Sequence, residues 1–215
     1  MRAALILLLC LAFALPARAT EPAVGRLFGG GFSALRICSG TLVGPATVLT
    51  AAHCVTFPDG RKRGTRGLGF VAGWEEGRHA GAASVEEILL HPRASDAEGI
   101  VVAYDIAILR LDRALPMAPI RVGRSGPEGG FSIIGYGRED TAHQALQEGC
   151  AGRLKGPRWY LSCPVSQGMS GGPVLAGGGT ARRVAGVISA ISGEEAVAAR
   201  VDPWVLRELA RPYTP

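Results

Sequence analysis

Three short stretches carry residue types whose spacing could perform acyl-transfer chemistry. Gly168-Met169-Ser170-Gly171-Gly172-Pro173 sets a serine among glycines. Glycines two before and one after Ser170 let the backbone turn sharply, exposing the hydroxyl while adjacent backbone N–H groups point into the same small space. That arrangement suits a nucleophile. In a chain with 31 glycines the plainer reading is a glycine-rich loop, so the assignment depends on a base and an orienting acid elsewhere.

Thr50-Ala51-Ala52-His53-Cys54 supplies a histidine. A lone His is more often a packed or surface residue, but Cys54 lies beside this one and Cys38 sixteen positions back. A hairpin through Gly44-Pro45 brings the two cysteines together, and their bridge would pin the segment carrying His53. A general base needs that rigidity to hold its angle to a nucleophile. Tyr104-Asp105-Ile106-Ala107-Ile108-Leu109 places an acid at the head of an apolar strand. Burial there is costly unless its oxygens are hydrogen-bonded or paired. Alone, Asp105 reads as a turn residue at the strand start; beside an imidazole that becomes charged, its burial strengthens the attraction.

The elements that must position these residues are strands. Short apolar or alternating runs bounded by Gly, Pro or charged turns predict strands over 39–43, 47–50, 67–72, 84–90, 106–111 and 131–136. A second set follows over 150–154, 159–163, 173–175, 184–191 and 196–201. The class is all-β, and closure into barrels hides so many edges. One helix is signalled at the end: Asp202 caps it, Pro203 suits its first turn, Trp204, Val205, Leu206 and Leu209 form an apolar stripe, and Pro212 stops it. The Pro- and Gly-rich segment 116–130 reads as a link between two halves.

Residues 1–19 read as a signal peptide, with Arg2 before the apolar run Ala4 to Leu15 and Ala17-Arg18-Ala19 ahead of Thr20. Cys10 falls inside this leader and is discarded with it. The 196 residues from Thr20 onward keep 21 basic and 18 acidic side chains, a net charge of +3. That mild excess argues against nucleic acid as a partner, and Arg61-Lys62-Arg63 reads as a solvated loop tip. No other segment approaches a membrane span, so no stable membrane anchor is expected. The four remaining cysteines, Cys38, Cys54, Cys150 and Cys163, predict two disulfides in an exported protein; a zinc site is the weaker alternative, because no pair has knuckle spacing. His79, His91 and His143 are not at metal-ligand spacing, His91-Pro92 reads as a turn, and the other two as surface residues. Neither a metal nor a cofactor is expected.

Together the three stretches resemble the chymotrypsin-like (trypsin-fold) serine endopeptidases, in that family's order of His, Asp, Ser. Weaker similarities run through Ser39-Gly40-Thr41-Leu42, His91-Pro92, Gly135-Tyr136-Gly137, Gly186-Val187-Ile188-Ser189 and the terminal helix. The resemblance implies two packed antiparallel β-barrels with the site between them: residues 20–115 the first half, 116–130 the linker, 131–201 the second half, and 202–215 the helix and tail. It implies a polypeptide substrate, Ser170 as nucleophile, His53 as general base and Asp105 as its orienting acid. Backbone N–H groups of Gly168 and Ser170 would form the oxyanion hole, and Ser189 would lie near the buried acid.

The chain departs from the animal digestive members at two places. Met169 precedes the serine where those enzymes carry an Asp that receives a new N-terminal amine, and residues 20–31 lack an Ile-Val-Gly-Gly start. Activation by that ion pair is therefore not expected. Cys150 and Cys163 flank a hairpin turning at Lys155-Gly156-Pro157, and their bridge would brace the strand leading to Ser170; this looks more like compact bacterial secreted members. The specificity pocket implied by the resemblance comprises Pro164, Val165, Ser189, Ala190 and Ile191. Nothing negative waits there for Arg or Lys, and Ile191 replaces a glycine of open pockets, so a small or medium apolar side chain is expected before the scissile bond. A secreted or periplasmic monomer is the expected form. The competing class is a non-catalytic binding or chaperone-like protein on the same frame; an esterase shares the chemistry, but the β/α alternation of the α/β-hydrolases is missing.

Overall fold

A computed structural model describes residues 21–29, 37–126 and 128–215, with the Thr180 side chain excepted. The expected signal peptide, Cys10, and residues 20, 30 and 31 of the segment compared with the Ile-Val-Gly-Gly start lie outside the described residues, as does Pro127 of the expected linker.

The first barrel is built from β1 (Val24–Gly29), β2 (Cys38–Gly44), β3 (Thr47–Thr50), β4 (Leu68–Ala72), β5 (Gly81–Leu90) and, after the two-residue strands β6 (Ser95–Asp96) and β7 (Gly99–Ile100), β8 (Ala107–Leu111). It closes in the order β1-β2-β3-β8-β5-β4. The second comprises β9 (Glu128–Gly135), β10 (Ala145–Lys155), β11 (Arg158–Leu161), β12 (Pro173–Ala176), β13 (Arg183–Ser192) and β14 (Glu195–Arg200), closed in the order β10-β11-β14-β13-β12-β9. Helix α1 (Pro203–Leu209) follows. All pairings within the barrels are antiparallel, and closure leaves neither sheet with a free edge. The all-β reading and the two-barrel architecture hold. Glu128, Gly129 and Gly130, read from sequence as the end of the linker, already belong to β9.

Apolar side chains fill each barrel. Leu42, Val48, Leu49, Phe70, Ile108 and Leu109 are fully buried in the first, and Ile133, Trp159, Leu161 and Val174 in the second. The alternation in β5 slips at Glu86 and Glu87, both exposed, where a bulge breaks the register with β8 between Val85 and Glu87; the extra residue keeps Val85 and Ile88 facing inward. β1 was not anticipated, because Gly25 and Arg26 dilute its pattern. Gly25 is needed for close approach: a Cβ there would lie 2.2 Å from the Val71 carbonyl oxygen.

The C-terminal helix is clamped onto the first barrel. Asp202 caps it as expected, its Oδ1 accepting the Val205 N–H at 3.1 Å. Its other oxygen lies 3.1 Å from His91 Nε2, while His91 Nδ1 accepts the Arg93 N–H at 3.1 Å. That pattern assigns a neutral imidazole with the proton on Nε2. His91 opens the turn its sequence suggested, its carbonyl accepting the Ala94 N–H at 2.8 Å, and is also a packing residue: it is buried, stacked on Tyr104 at 5.0 Å and edge-on to Trp204 at 4.8 Å. Arg110, in the middle of β8, is also buried: it donates to Thr47 Oγ1 at 2.7 Å and to the Glu208 carbonyl at 3.1 Å.

Burial holds the His91 pKa below its ordinary value of 6.5, outweighing the pull of Asp202. The unfolded chain therefore binds this proton more readily than the folded one. The contribution is fully present above pH 6.5 and is lost as pH falls below that value toward the depressed folded pKa. Thermal melts from pH 7.5 to pH 5 are expected to show a falling Tm, with a shallower slope in His91→Gln; equal slopes would contradict the assignment.

Candidate active site

His53 sits in a 3-10 turn, Ala52–Cys54, that ends the buried strand β3. Asp105 follows a second 3-10 turn, Val102–Tyr104, at the entry to β8. Because β3 and β8 pair from Thr47↔Arg110 to Thr50↔Ala107, the two segments leave the sheet side by side. The Asp105 carboxylate is fully buried and takes three donors. Oδ1 accepts the His53 backbone N–H at 2.8 Å, and Oδ2 accepts His53 Nδ1–H at 2.6 Å and the Ser189 hydroxyl at 2.5 Å. These bonds offset the cost of burying the charge. A carboxylate only accepts, so Nδ1 is the donor in this bond, on a side chain 24% exposed.

The disulfide Cys38–Cys54 ties β2 to the His53 turn with Cα atoms 6.1 Å apart. Cys54 Sγ lies 3.8 Å from His53 Nε2 and 3.9 Å from the Ser170 carbonyl oxygen, contacts that bring the histidine and serine segments together. Cys38, His53 and Cys54 could offer metal-ligand atoms within 4.8 Å of one another, but with the two sulfurs bonded to each other no thiolate is left to bind an ion. Cys150–Cys163 closes the β10–β11 hairpin, Cα atoms 5.2 Å apart, just ahead of the Ser170 loop. Loops of this length are each worth about 3 kcal/mol by chain entropy.

Ser170 lies in the loop before β12. Gly168 has φ +103° and Gly171 φ +85°. A Cβ on Gly168 would lie 2.5 Å from the Tyr136 carbonyl oxygen, and one on Gly171 2.1 Å from that of Ser39, so both positions require glycine. Among the described residues the N–H groups of Gly168 and Ser170 have no acceptor, leaving both free for a bound oxyanion. Met169 is buried among the second barrel's apolar side chains.

His53, Asp105, Ser170, Val165, Ala190 and Ile191 line one cleft of about 650 Å³, together with Ser189. Pro164 does not line it; its carbonyl accepts from Gln147 Nε2 at 2.7 Å. Ile191 stands 52% exposed at the mouth. Ser166, Gln167, Phe57, Ile100 and Val102 also reach the cleft, and nothing in their local sequence singled them out. Arg63 does as well. It departs from the solvated-tip expectation: its Nε donates to the Thr56 carbonyl at 2.9 Å and its guanidinium covers Phe57 at 4.5 Å, whereas Arg61 and Lys62 are exposed.

Two closed six-stranded barrels with this cleft at their junction are the architecture of the chymotrypsin-like fold. The chain belongs to the trypsin-like peptidases: the family's model, Trypsin-like peptidase domain, matches residues 38–187. It is 29% identical over 130 residues to chymotrypsin-like elastase family member 1 of Homo sapiens, a match covering 56% of this chain and 48% of the elastase. The chain thus spans about half the length of that relative. Trypsin of Saccharopolyspora erythraea is 26% identical over 179 residues, covering 65% of this chain and 70% of the trypsin. In three dimensions the fold is similar to a thermostable serine protease from an extremophilic microorganism, with TM-score 0.71, 20% identity, and 83% and 91% of the two chains covered. Protease Anisep from Arthrobacter nicotinovorans gives TM-score 0.71 at 18% identity, with 84% and 90% covered.

Proposed function

We propose that this protein is an exported serine endopeptidase acting through Ser170, His53 and Asp105. The observation that carries the reading is the pairing of His53 with Asp105: Nδ1–H is held by the buried carboxylate at 2.6 Å, and His53 and Ser170 line the same cleft. In this mechanism Ser170 Oγ attacks the substrate carbonyl carbon as His53 Nε2 takes its proton. The carbonyl oxygen becomes an oxyanion held by the Gly168 and Ser170 N–H groups, a donor of this kind being worth about 3 kcal/mol in the barrier. The C–N bond then breaks, His53 returns the proton to the leaving amine, and the acyl group stays on Ser170. Water, deprotonated by the same imidazole, releases the acid and restores the serine. Asp105 holds the tautomer and stabilises the imidazolium without taking the proton, and Ser189 holds Asp105.

Residues 1–19 as an export signal and the two disulfides support an oxidising destination, with residues 20–115 and 128–201 as the two halves that meet at the cleft. The burial of Met169 among apolar groups supports an oxyanion hole that forms without an N-terminal ion pair. Val165, Ser189, Ala190 and Ile191 bound the pocket for the side chain before the scissile bond and offer it no carboxylate.

A peptide library tests both activity and selectivity. Cleavage after small or medium apolar residues is the expected result, and Ile191→Gly should raise kcat/KM for large apolar residues at that position by about tenfold or more. No cleavage of any peptide contradicts the peptidase reading; fastest cleavage after Arg contradicts the pocket assignment.

A further inference from the structure

Both oxyanion-hole donors belong to peptide groups that can rotate, and a peptide rotated by half a turn presents its carbonyl where its N–H should be. What fixes them can be followed bond by bond. The peptide carrying the Gly168 N–H is held through the Gln167 carbonyl, which accepts the Arg138 N–H at 2.6 Å. The peptide carrying the Ser170 N–H is held through the Met169 carbonyl, which accepts the Gly172 N–H at 2.9 Å. Between and beyond them lie the Gly168 and Ser170 carbonyls, and one first-barrel residue holds both. Ser39 Oγ donates to the Gly168 carbonyl at 3.0 Å, and Ser39 N–H donates to the Ser170 carbonyl at 2.7 Å.

The Ser39 hydroxyl also accepts the Tyr136 N–H at 2.9 Å, fixing the strand end that supplies the Arg138 donor. Ser39 is fully buried, and its own carbonyl accepts the Thr50 hydroxyl at 2.8 Å. Each polar atom of Ser39 therefore has a partner, and two of the four bonds end on the nucleophile loop. Nothing in this network is charged, and nothing in it requires a new chain terminus. Gly168, at φ +103°, has no side chain to fix its peptides, and its carbonyl is the one the hydroxyl holds.

We infer that Ser39 is a positioning residue that preforms the oxyanion hole, its hydroxyl doing by neutral hydrogen bonds what a buried ion pair would otherwise do. The inference rests on the peptidase reading and deepens it. Ser39 touches no reacting atom; it acts through the Gly168 and Ser170 peptides, so its loss should weaken transition-state binding and leave substrate binding alone.

The test compares native enzyme with Ser39→Ala and Ser39→Thr. In Ser39→Ala, kcat is expected to fall by about tenfold to a hundredfold, less than for outright loss of a donor, with KM within about twofold. Affinity for a peptidyl trifluoromethyl ketone, which places an oxyanion in the hole, should fall by the same factor as kcat/KM, and Ser39→Thr should restore most of both. A crystal structure of Ser39→Ala should show the 167–168 or 168–169 peptide rotated. Native kcat in Ser39→Ala, a fall in kcat with unchanged ketone affinity, or an unrotated loop would each overturn the inference. Should Ser39→Ala not fold, Ser39→Cys, with a weaker donor, is read by the same outcomes. An inactive native protein that fluorophosphonate does not label would instead fail the peptidase reading, which separates the two.

Discussion

Ser170→Ala is expected to lower kcat on the order of 10⁶-fold, to the residual rate that binding and the oxyanion hole support without a nucleophile. The substitution removes one oxygen from the cleft and little else. The contacts that hold this loop are backbone contacts: the Ser170 carbonyl accepts from Ser39 N–H at 2.7 Å and the Gly171 N–H donates to the Ile188 carbonyl at 2.8 Å. Alanine keeps both. Tm should therefore stay near native, and KM should change little, because the hydroxyl contributes to the transition state rather than to ground-state binding. Steady-state kinetics on a cleaved peptide, with a thermal melt of the same preparation, checks this. Residual activity within tenfold of native would mean that another group is the nucleophile.

Asp105→Asn carries the second-largest effect. Three donors converge on the carboxylate: His53 N–H at 2.8 Å, His53 Nδ1–H at 2.6 Å and the Ser189 hydroxyl at 2.5 Å. An asparagine amide offers one oxygen and one NH₂, so an NH₂ now faces donors. The imidazole can relieve the clash by moving its proton to Nε2, making Nδ1 the acceptor. Nε2 is then no longer a base toward Ser170. Exchange of tautomer in a Ser-His-Asp triad costs about 10⁴-fold in kcat, and that is the expected fall, with KM nearly unchanged. The fold should survive at a cost of about 1–3 kcal/mol for the disturbed buried bonds. Slow but measurable labelling of Ser170 by a fluorophosphonate separates this variant from Ser170→Ala, where the labelled oxygen is gone. A near-native kcat would show that Asp105 does not set the tautomer.

Much of this site is legible in the chain because its chemistry is local. Ser170 announces itself by Gly168 and Gly171, whose positive φ values are what the turn demands. His53 is marked by Cys54, and Asp105 by the apolar run it heads. The strands of both barrels follow from alternation. Where alternation is interrupted the reading fails for a physical reason: Gly25 in β1 is dictated by the approach of the Val71 carbonyl, which no neighbour in sequence reports.

The residues that sequence reading missed act across long separations. Ser39 and Gly168 are 129 positions apart, and the role of Ser39 exists only once the two barrels are docked. From sequence, Ser39 reads as the start of a strand and as part of a weaker family similarity, with no role of its own. Likewise His91 meets Asp202 across 111 positions. Gln144 is a further case: its side-chain oxygen accepts the Glu21 N–H at 2.8 Å and its NH₂ group donates to the Val24 carbonyl at 3.0 Å, anchoring the start of β1 to the second half. It also donates to the Tyr136 hydroxyl at 3.1 Å, whose pKa burial pushes up to about 12. Tyr136 therefore stays protonated and donates to the Trp74 carbonyl at 2.9 Å throughout the working pH range.

Intact-mass analysis after fluorophosphonate treatment tests the central claim most directly, because it reads the activated serine without needing the substrate to be known. One adduct per folded native chain, mapped to the peptide containing Ser170 and absent from Ser170→Ala, is the predicted result. Folded native protein that takes up no label, or equal labelling of Ser170→Ala, would contradict the account.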